Sequence, residues 1–202
     1  MSLAVENRFF LVFVVVLLGF VGIAAMGCQA AHESSPGDTI EPVVSPVSVE
    51  RGEYLVQITG CHDCHTPFVM GPSGPEPDMS RMLSGHPQDL VMPQPPELPE
   101  GPWVWLGAGT NTAFAGPWGL SYAINLTPHQ NTGIGIWTEE MFVDSIRKGR
   151  HMGHARPVLP PMPWPAYQNM TDEDLESIFA YLKSIPEIDN RVPEAIPAET
   201  EG

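Results

Sequence analysis

The stretch Cys61-His62-Asp63-Cys64-His65 decides how the rest of the chain is organised. Its two cysteines are three positions apart, and a histidine directly follows the second one. The spacing C-x-x-C-H is the signature of covalent c-type haem attachment. Two thiols about one helical turn apart can each form a thioether with one vinyl group of the porphyrin, and the next residue is then placed under the iron. We therefore predict one covalent haem c, bonded through Cys61 and Cys64, with the imidazole of His65 as the proximal ligand.

A pair of cysteines at this spacing has two other interpretations, a disulfide redox motif and half of a zinc site. A zinc site needs two further soft ligands, and the only other cysteine, Cys28, lies at the edge of the N-terminal apolar segment. A thioredoxin-like protein needs a βαβ pattern around the motif, and the sequence has none there. A non-haem binding module that uses Cys61 and Cys64 is thus one hypothesis to test.

The composition suits one acidic domain that does not bind nucleic acid. The 202 residues include 24 Asp and Glu against 9 Lys and Arg, which gives a formal net charge of −15. Such a surface repels nucleic acid and suits a protein partner with a basic patch. The 23 prolines and 19 glycines indicate that much of the chain is loop, turn or short helix, and that a large sheet is absent.

The N-terminal segment predicts attachment to a membrane. Residues 9–26 contain no charge, and this length just reaches that of a membrane span. The following Ala25-Met26-Gly27-Cys28 resembles a bacterial lipobox, so that Cys28 is the predicted lipidation site. Residues 1–27 are then a removed signal peptide or an uncleaved anchor, and residues 28–47 a flexible tether. Either outcome places the domain on the outer, periplasmic side of a bacterial cytoplasmic membrane.

Two helices are predicted on either side of a long irregular segment. Ser48 can cap a helix over residues 49–59, whose apolar face would hold Tyr54, Leu55 and Ile58. Residues 66–116 contain ten prolines between Pro67 and Pro102, which exclude long helices and central strands. Within them, Trp103-Val104-Trp105-Leu106 predicts either a short strand with aromatic rings over a haem edge or a hydrophobic loop anchor. Thr138 caps the next helix, which ends at Gly149 and buries Phe142, Ile146 and in part Val143.

A third helix follows Thr171, with Asp174 in the position that completes a capping box. Its apolar stripe consists of Leu175, Ile178, Phe179, Leu182 and Ile185, and Pro186 stops it.

The sixth iron ligand is predicted to be Met162. It lies in Pro160-Pro161-Met162-Pro163, where the proline rings restrict the backbone and hold the methionine in a stiff loop. A methionine thioether is a usual axial ligand for electron transfer and raises the reduction potential. Met152, Met170 and His154 are the alternatives.

Four of the nine basic residues lie within ten positions, namely Arg147, Lys148, Arg150 and Arg156. They are either ordinary cations at the negative end of a helix, or side chains that reach the haem propionates or form a docking rim for a partner.

From Ser48 onward the chain resembles class I cytochromes c, in which an N-terminal helix delivers C-x-x-C-H and a methionine is presented before the C-terminal helix. Four motifs narrow the resemblance to cytochrome c domains of membrane-bound bacterial dehydrogenase complexes: Asn125-Leu126-Thr127-Pro128, Thr132-Gly133-Ile134-Gly135 with Trp137, Pro160 to Trp164, and Met170 to Leu175. The resemblance covers residues 48–192 and implies a mainly α, class I cytochrome c fold, with three main helices around the haem and a long Pro/Gly-rich insert. Residues 193–202 form an acidic, Pro-rich tail. Those relatives often carry several haems, whereas this chain has one C-x-x-C-H.

The predicted function is therefore electron transfer by one low-spin haem c with His and Met ligands, without substrate chemistry of its own. The redox partner would be a dehydrogenase subunit, an oxidase or another cytochrome. The alternative is a haem enzyme or a gas or redox sensor, in which the distal ligand is displaceable.

Overall fold

A computed structural model describes residues 46–96, 98 and 100–198 of the chain. The predicted leader or anchor, the lipidation site Cys28 and most of the tether lie outside the described residues. No helix in the described part of the chain is long and apolar enough to cross a membrane. The helices are α1 (Val49–Ile58), α2 (Cys61–His65), α3 (Glu139–Lys148), α4 (Trp164–Tyr167) and α5 (Asp172–Ser184). The strands are β1 (Phe68–Gly71), β2 (Gly74–Pro77), β3 (Leu106–Gly107), β4 (Ala113–Gly116), β5 (Gly119–Tyr122) and β6 (Ile196–Pro197).

Helix α1 begins and ends close to the predicted positions, and Ser48 caps it by accepting a hydrogen bond from Arg51 N. Of its predicted apolar face, however, only Leu55 is buried. Tyr54 and Ile58 are more than half exposed, and the buried residues are Gly52, Leu55 and Val56. The face is displaced because α1 crosses α5 at Gly52, where a Cβ atom would lie 1.9 Å from Ser177 O.

Helix α3 confirms its predicted cap, its end and its buried stripe. Thr138 accepts a hydrogen bond from Met141 N, and Phe142 and Ile146 are buried in the core. The helix ends at Gly149, which has a φ of 62° and lies under the ring of Trp164. A glycine is required there, because a Cβ would lie 2.3 Å from the indole and the backbone is left-handed.

Helix α5 confirms the cap at Thr171 and the predicted stripe, all five members of which are buried. The predicted capping box does not form in full. The Asp174 carboxylate pairs instead with the guanidinium of Arg51 on α1 at 2.6 Å. This ion pair and the contact at Gly52 join the first and last helices, whose apolar faces form the main core with α3.

The residues between the first and second predicted helices contain strands that the sequence did not predict. Strands β1 and β2 form an antiparallel hairpin. Strand β2 tolerates Pro75 and Pro77 because, among the described strands, it pairs with β1 alone and is therefore an edge strand. Strands β3, β4, β5 and β6 form a four-stranded antiparallel sheet in that order. The candidate strand at Trp103 begins only at Leu106, and Trp103 is 73% exposed. The described domain is therefore a mixture of helix and sheet, where a mainly α domain was predicted.

Candidate functional site

A cavity of about 390 Å³ lies between the helices and the four-stranded sheet, within the range of roughly 300–1,000 Å³ that is usual for cofactor sites. Its lining is mostly apolar and comes from α2 on one side and from the loop before α4 on another. The segment from Ser121 to Ile124 and the buried faces of α3 and α5 complete the walls. The cavity therefore lies where the predicted site residues meet.

Cys61 and Cys64 lie on α2, a single turn of helix that begins after Gly60, and both line the cavity. Both are free thiols. Burial raises the pKa of each thiol above its ordinary value, so both remain protonated at neutral pH. Their separation by one helical turn gives them a common face toward the cavity, as attachment of two neighbouring groups of one ligand requires.

His65 is buried at the end of the same turn and also lines the cavity. Its Nδ1 lies 2.8 Å from the carbonyl oxygen of Ile124. Because a carbonyl only accepts, Nδ1 carries the proton and donates it, which leaves Nε2 as the nitrogen with a free lone pair. Burial lowers the pKa of the imidazole, so the ring stays neutral. Histidines that bind metals have this arrangement, with one nitrogen anchored to a carbonyl and the other available.

Met162 lines the cavity and packs against the buried core. Of the three alternative ligands, Met170 also lines the cavity, whereas Met152 packs on the core outside the lining and His154 is exposed. The structure thus brings Cys61, Cys64, His65 and Met162 to one cavity and leaves Met170 as a second methionine there.

Aromatic side chains form much of the remaining wall. Trp105 lines the cavity and packs edge-on against Phe114, with ring centroids 5.9 Å apart. Tyr167 on α4 also lines it, and its hydroxyl donates a hydrogen bond to the carbonyl of Thr59, two residues before α2. Burial and the nearby cysteines raise the pKa of Tyr167 to about 12, so the phenol remains a donor.

The four clustered cations divide into two pairs. Arg147 binds Asp172 at 2.5 Å, and Lys148 binds Asp144 at 2.7 Å. Arg150 donates to the carbonyl of Ala155 at 3.0 Å, and the exposed Arg156 borders the cavity. Of these four cations, Arg150 and Arg156 lack a carboxylate partner in the part of the chain that the structure describes.

The donor set of the cavity suits haem c better than zinc. Among the described residues, no three His, Cys, Asp or Glu side chains form a group that could hold a metal ion, whereas a structural zinc site needs four such ligands. An apolar cavity with two adjacent thiols, an anchored neutral imidazole and a thioether fits a porphyrin with an iron at its centre.

Three contributors to the site have no motif of their own. The carbonyl of Ile124 anchors His65, the Tyr167 hydroxyl holds the turn before α2, and Ser121 contacts the loop that carries Met162. Ile124 directly precedes the motif Asn125-Leu126-Thr127-Pro128, so the motif marks the segment whose carbonyl anchors His65. Asn125 itself donates to the carbonyl of Ile188 at 2.8 Å and fixes this segment to the C-terminal part of the chain.

No protein-family model matches the chain. It is 30% identical over 135 residues to the fructose dehydrogenase cytochrome subunit of Gluconobacter japonicus, covering 67% of this chain and 21% of that protein. It is 26% identical over 165 residues to the cytochrome c subunit of the quinone alcohol dehydrogenase of Gluconobacter oxydans, covering 82% and 25%. The cytochrome c subunit of gluconate 2-dehydrogenase from Pantoea cypripedii is 27% identical over 133 residues, covering 66% and 22%.

The chain thus spans between a fifth and a quarter of the length of these relatives. The shared region includes most of this chain, and the three relatives are all cytochrome subunits of dehydrogenases. The resemblance predicted from the motifs is confirmed: the chain is a homologue of the cytochrome c subunits of bacterial dehydrogenases.

Proposed function

We propose that the chain is an electron-transfer protein with one haem c, bonded to Cys61 and Cys64 and ligated by His65 and Met162. The observation that carries the proposal is that these four side chains line one apolar cavity. In this proposal α1, α3 and α5 are the three helices of a class I cytochrome c. The four-stranded sheet adds Phe114, Ser121 and Tyr122 to the wall of the cavity.

The chain's own residues set the properties of the site. The bound haem supplies a one-electron Fe(III)/Fe(II) couple. The hydrogen bond from His65 Nδ1 to Ile124 O holds the ring and makes the free Nε2 a stronger donor. The Met162 thioether and the apolar, aromatic walls favour the reduced, less charged state and so raise the reduction potential.

The proposed partner is another redox protein, either a dehydrogenase subunit, an oxidase or a second cytochrome. The relatives support this proposal because each is a subunit of a dehydrogenase. We further propose that a lipid on Cys28, or an uncleaved N-terminal anchor, holds the domain at the outer face of the cytoplasmic membrane. The mass of the mature chain decides between them: a lipidated Cys28 at its start supports the first, and a retained Met1 or Ser2 supports the second.

The first test is an absorbance spectrum of the purified protein, oxidised and then reduced. Sharp α and β bands on reduction are expected for a low-spin haem with two axial ligands. A high-spin spectrum would favour a haem enzyme or sensor with an open distal side, and the absence of a Soret band would favour a non-haem module. In the double variant Cys61→Ala, Cys64→Ala, all haem should be lost on acid–organic extraction; retained haem would contradict the proposed attachment.

Met170 provides a matched control for the distal ligand, because it is a methionine on the wall of the same cavity. Met162→Ala should abolish the weak far-red band of an iron–sulfur(Met) bond and open the iron to added imidazole. Met170→Ala should keep the band. The reverse result would assign the ligand to Met170.

A further inference from the structure

The loop that carries Met162 has few hydrogen bonds. Residues 159–163 include three prolines, so only Leu159 and Met162 have a backbone N–H. In the described part of the chain, the segment from Leu159 to Met162 takes part in one hydrogen bond. Ser121 Oγ donates it to the carbonyl oxygen of Pro160 at 2.7 Å. The position of the loop therefore depends on packing and on this bond.

Ser121 is suited to hold that carbonyl because its hydroxyl is itself oriented. The side chain is buried on β5, opposite Phe114 of β4. The indole N–H of Trp118 donates to Ser121 Oγ at 3.1 Å, so the oxygen acts as acceptor on one side. The hydroxyl proton is then free to be donated to a carbonyl. Pro160 O lies 2.7 Å from Ser121 Oγ and Phe114 O lies 3.3 Å from it, so Pro160 O is the main acceptor.

The same short segment also contacts the other proposed iron ligand. Three residues after Ser121, the carbonyl of Ile124 accepts the hydrogen bond from His65 Nδ1 at 2.8 Å. One stretch of backbone thus contacts both the imidazole and the loop of the methionine. We propose that Ser121 is a positioning residue for Met162, and that the segment from Ser121 to Ile124 fixes the span between the two proposed iron ligands.

This inference rests on the proposed function, because it assumes that Met162 ligates the iron. It assigns a role to the four-stranded sheet, which is the part of the domain that the helical prediction lacked. Without the Ser121 hydroxyl, the Pro160 carbonyl loses its donor and the loop is held by packing alone. The Met162 sulfur should then be displaced more readily by an external ligand.

The test compares three variants of the full chain loaded with haem: Ser121→Ala, Ser121→Thr and Ser145→Ala. Ser145 is the matched control, because it is a buried serine on the same cavity whose hydroxyl donates to Met141 O at 2.7 Å, away from the Met162 loop. The readouts are the far-red band of the oxidised protein and the dissociation constant for imidazole. Ser121→Ala should bind imidazole about tenfold more tightly, which corresponds to about 1.4 kcal/mol, and should show a weaker band. Ser121→Thr, which keeps the hydroxyl, and Ser145→Ala should both stay close to the parent protein.

Equal imidazole affinity in Ser121→Ala and the parent would overturn the positioning role while leaving Met162 ligation intact. Equal gains in Ser121→Ala and Ser145→Ala would also overturn it, because they would reflect general loosening of the cavity. A parent protein without the far-red band would instead refute methionine ligation, and the positioning role with it. If Ser121→Ala does not fold, Trp118→Phe replaces it: removal of the orienting indole N–H should still increase imidazole affinity, and an unchanged affinity would overturn the proposal.

Discussion

Replacing Gly52 with alanine should destabilise the domain, although alanine is the better helix former. Gly52 lies within α1, where the helix crosses α5, and its added Cβ would be 1.9 Å from Ser177 O and 2.7 Å from Tyr181 Cβ. The first contact is with backbone in the middle of a helix, which has no rotamer to change. Real Cβ contacts are almost never shorter than 3.0 Å, so the two helices must separate by about 1 Å or more.

Three effects decide the size of the change. Alanine gains about 1 kcal/mol in helix propensity over glycine. Overpacking a tight site costs about 1–3 kcal/mol, and a backbone contact belongs at the upper end of that range. Separation of the helices also lengthens the hydrogen bond from Ser48 N to Ser177 Oγ, now 3.2 Å, and its loss costs about 1 kcal/mol. The free energy of unfolding should therefore fall by about 2–3 kcal/mol.

The assay is urea unfolding of the oxidised protein, followed by far-ultraviolet circular dichroism. Gly109→Ala is the control, because an added Cβ there meets nothing within 4 Å, and its effect should stay within about 0.5 kcal/mol. If Gly52→Ala were as stable as Gly109→Ala, the close crossing of α1 and α5 would be refuted as the reason for the glycine.

Three further predictions concern the surroundings of the cavity. Tyr167→Phe should lower the free energy of unfolding by about 1 kcal/mol, because the Thr59 carbonyl loses its donor. The double variant Arg150→Gln, Arg156→Gln should slow oxidation of the reduced protein by hexacyanoferrate(III) at low salt and flatten the salt dependence, because it removes local positive charge beside the cavity. Burial lowers the pKa of His86 in the folded protein, so just below pH 6.5 the unfolded chain binds more protons than the folded one. The free energy of unfolding should therefore fall on acidification through that range, and His86→Gln should make the fall shallower.

Each of these predictions has a control on the surface. Tyr54→Phe changes an exposed tyrosine and should leave stability unchanged; an equal loss in both tyrosine variants would contradict the role of the buried hydroxyl. Lys148→Gln removes a cation that is already paired with Asp144, and an equally slow reaction in this variant would assign the effect to net charge. His154→Gln alters an exposed histidine. A pH profile of His86→Gln as steep as that of His154→Gln would show that His86 does not contribute.

The sequence predicted those elements whose signals are local. Thr138 and Thr171 cap their helices as expected, because a cap is a hydrogen bond between residues three apart. The stripe of α5 was predicted correctly because this helix is buried along one regular face. The face of α1 was not, because Gly52 lies at its contact with α5 and a glycine has no hydropathy signal.

The pairing of β6 could not be predicted because it is not local in the sequence. Strand β5 pairs with β4 a few residues earlier and with β6 more than seventy residues later. Each described strand has only two to four residues, and strands this short show no clear alternation of polar and apolar residues. The candidate ligands were predicted because cysteine, histidine and a methionine between prolines are chemically distinctive. Ser121 was missed because one serine within Gly119–Tyr122 carries no such signal.

The position of the tryptophans has an optical consequence. Trp105, Trp137 and Trp164 line the cavity, whereas Trp103 is largely exposed. A strongly absorbing porphyrin in contact with three indoles would quench their emission by energy transfer. Folded, loaded protein should therefore be nearly dark under ultraviolet excitation, and the Cys61→Ala, Cys64→Ala variant should be bright. Because thioethers keep the quencher on the chain after unfolding, the partial recovery of emission in denaturant measures how far the indoles move from it.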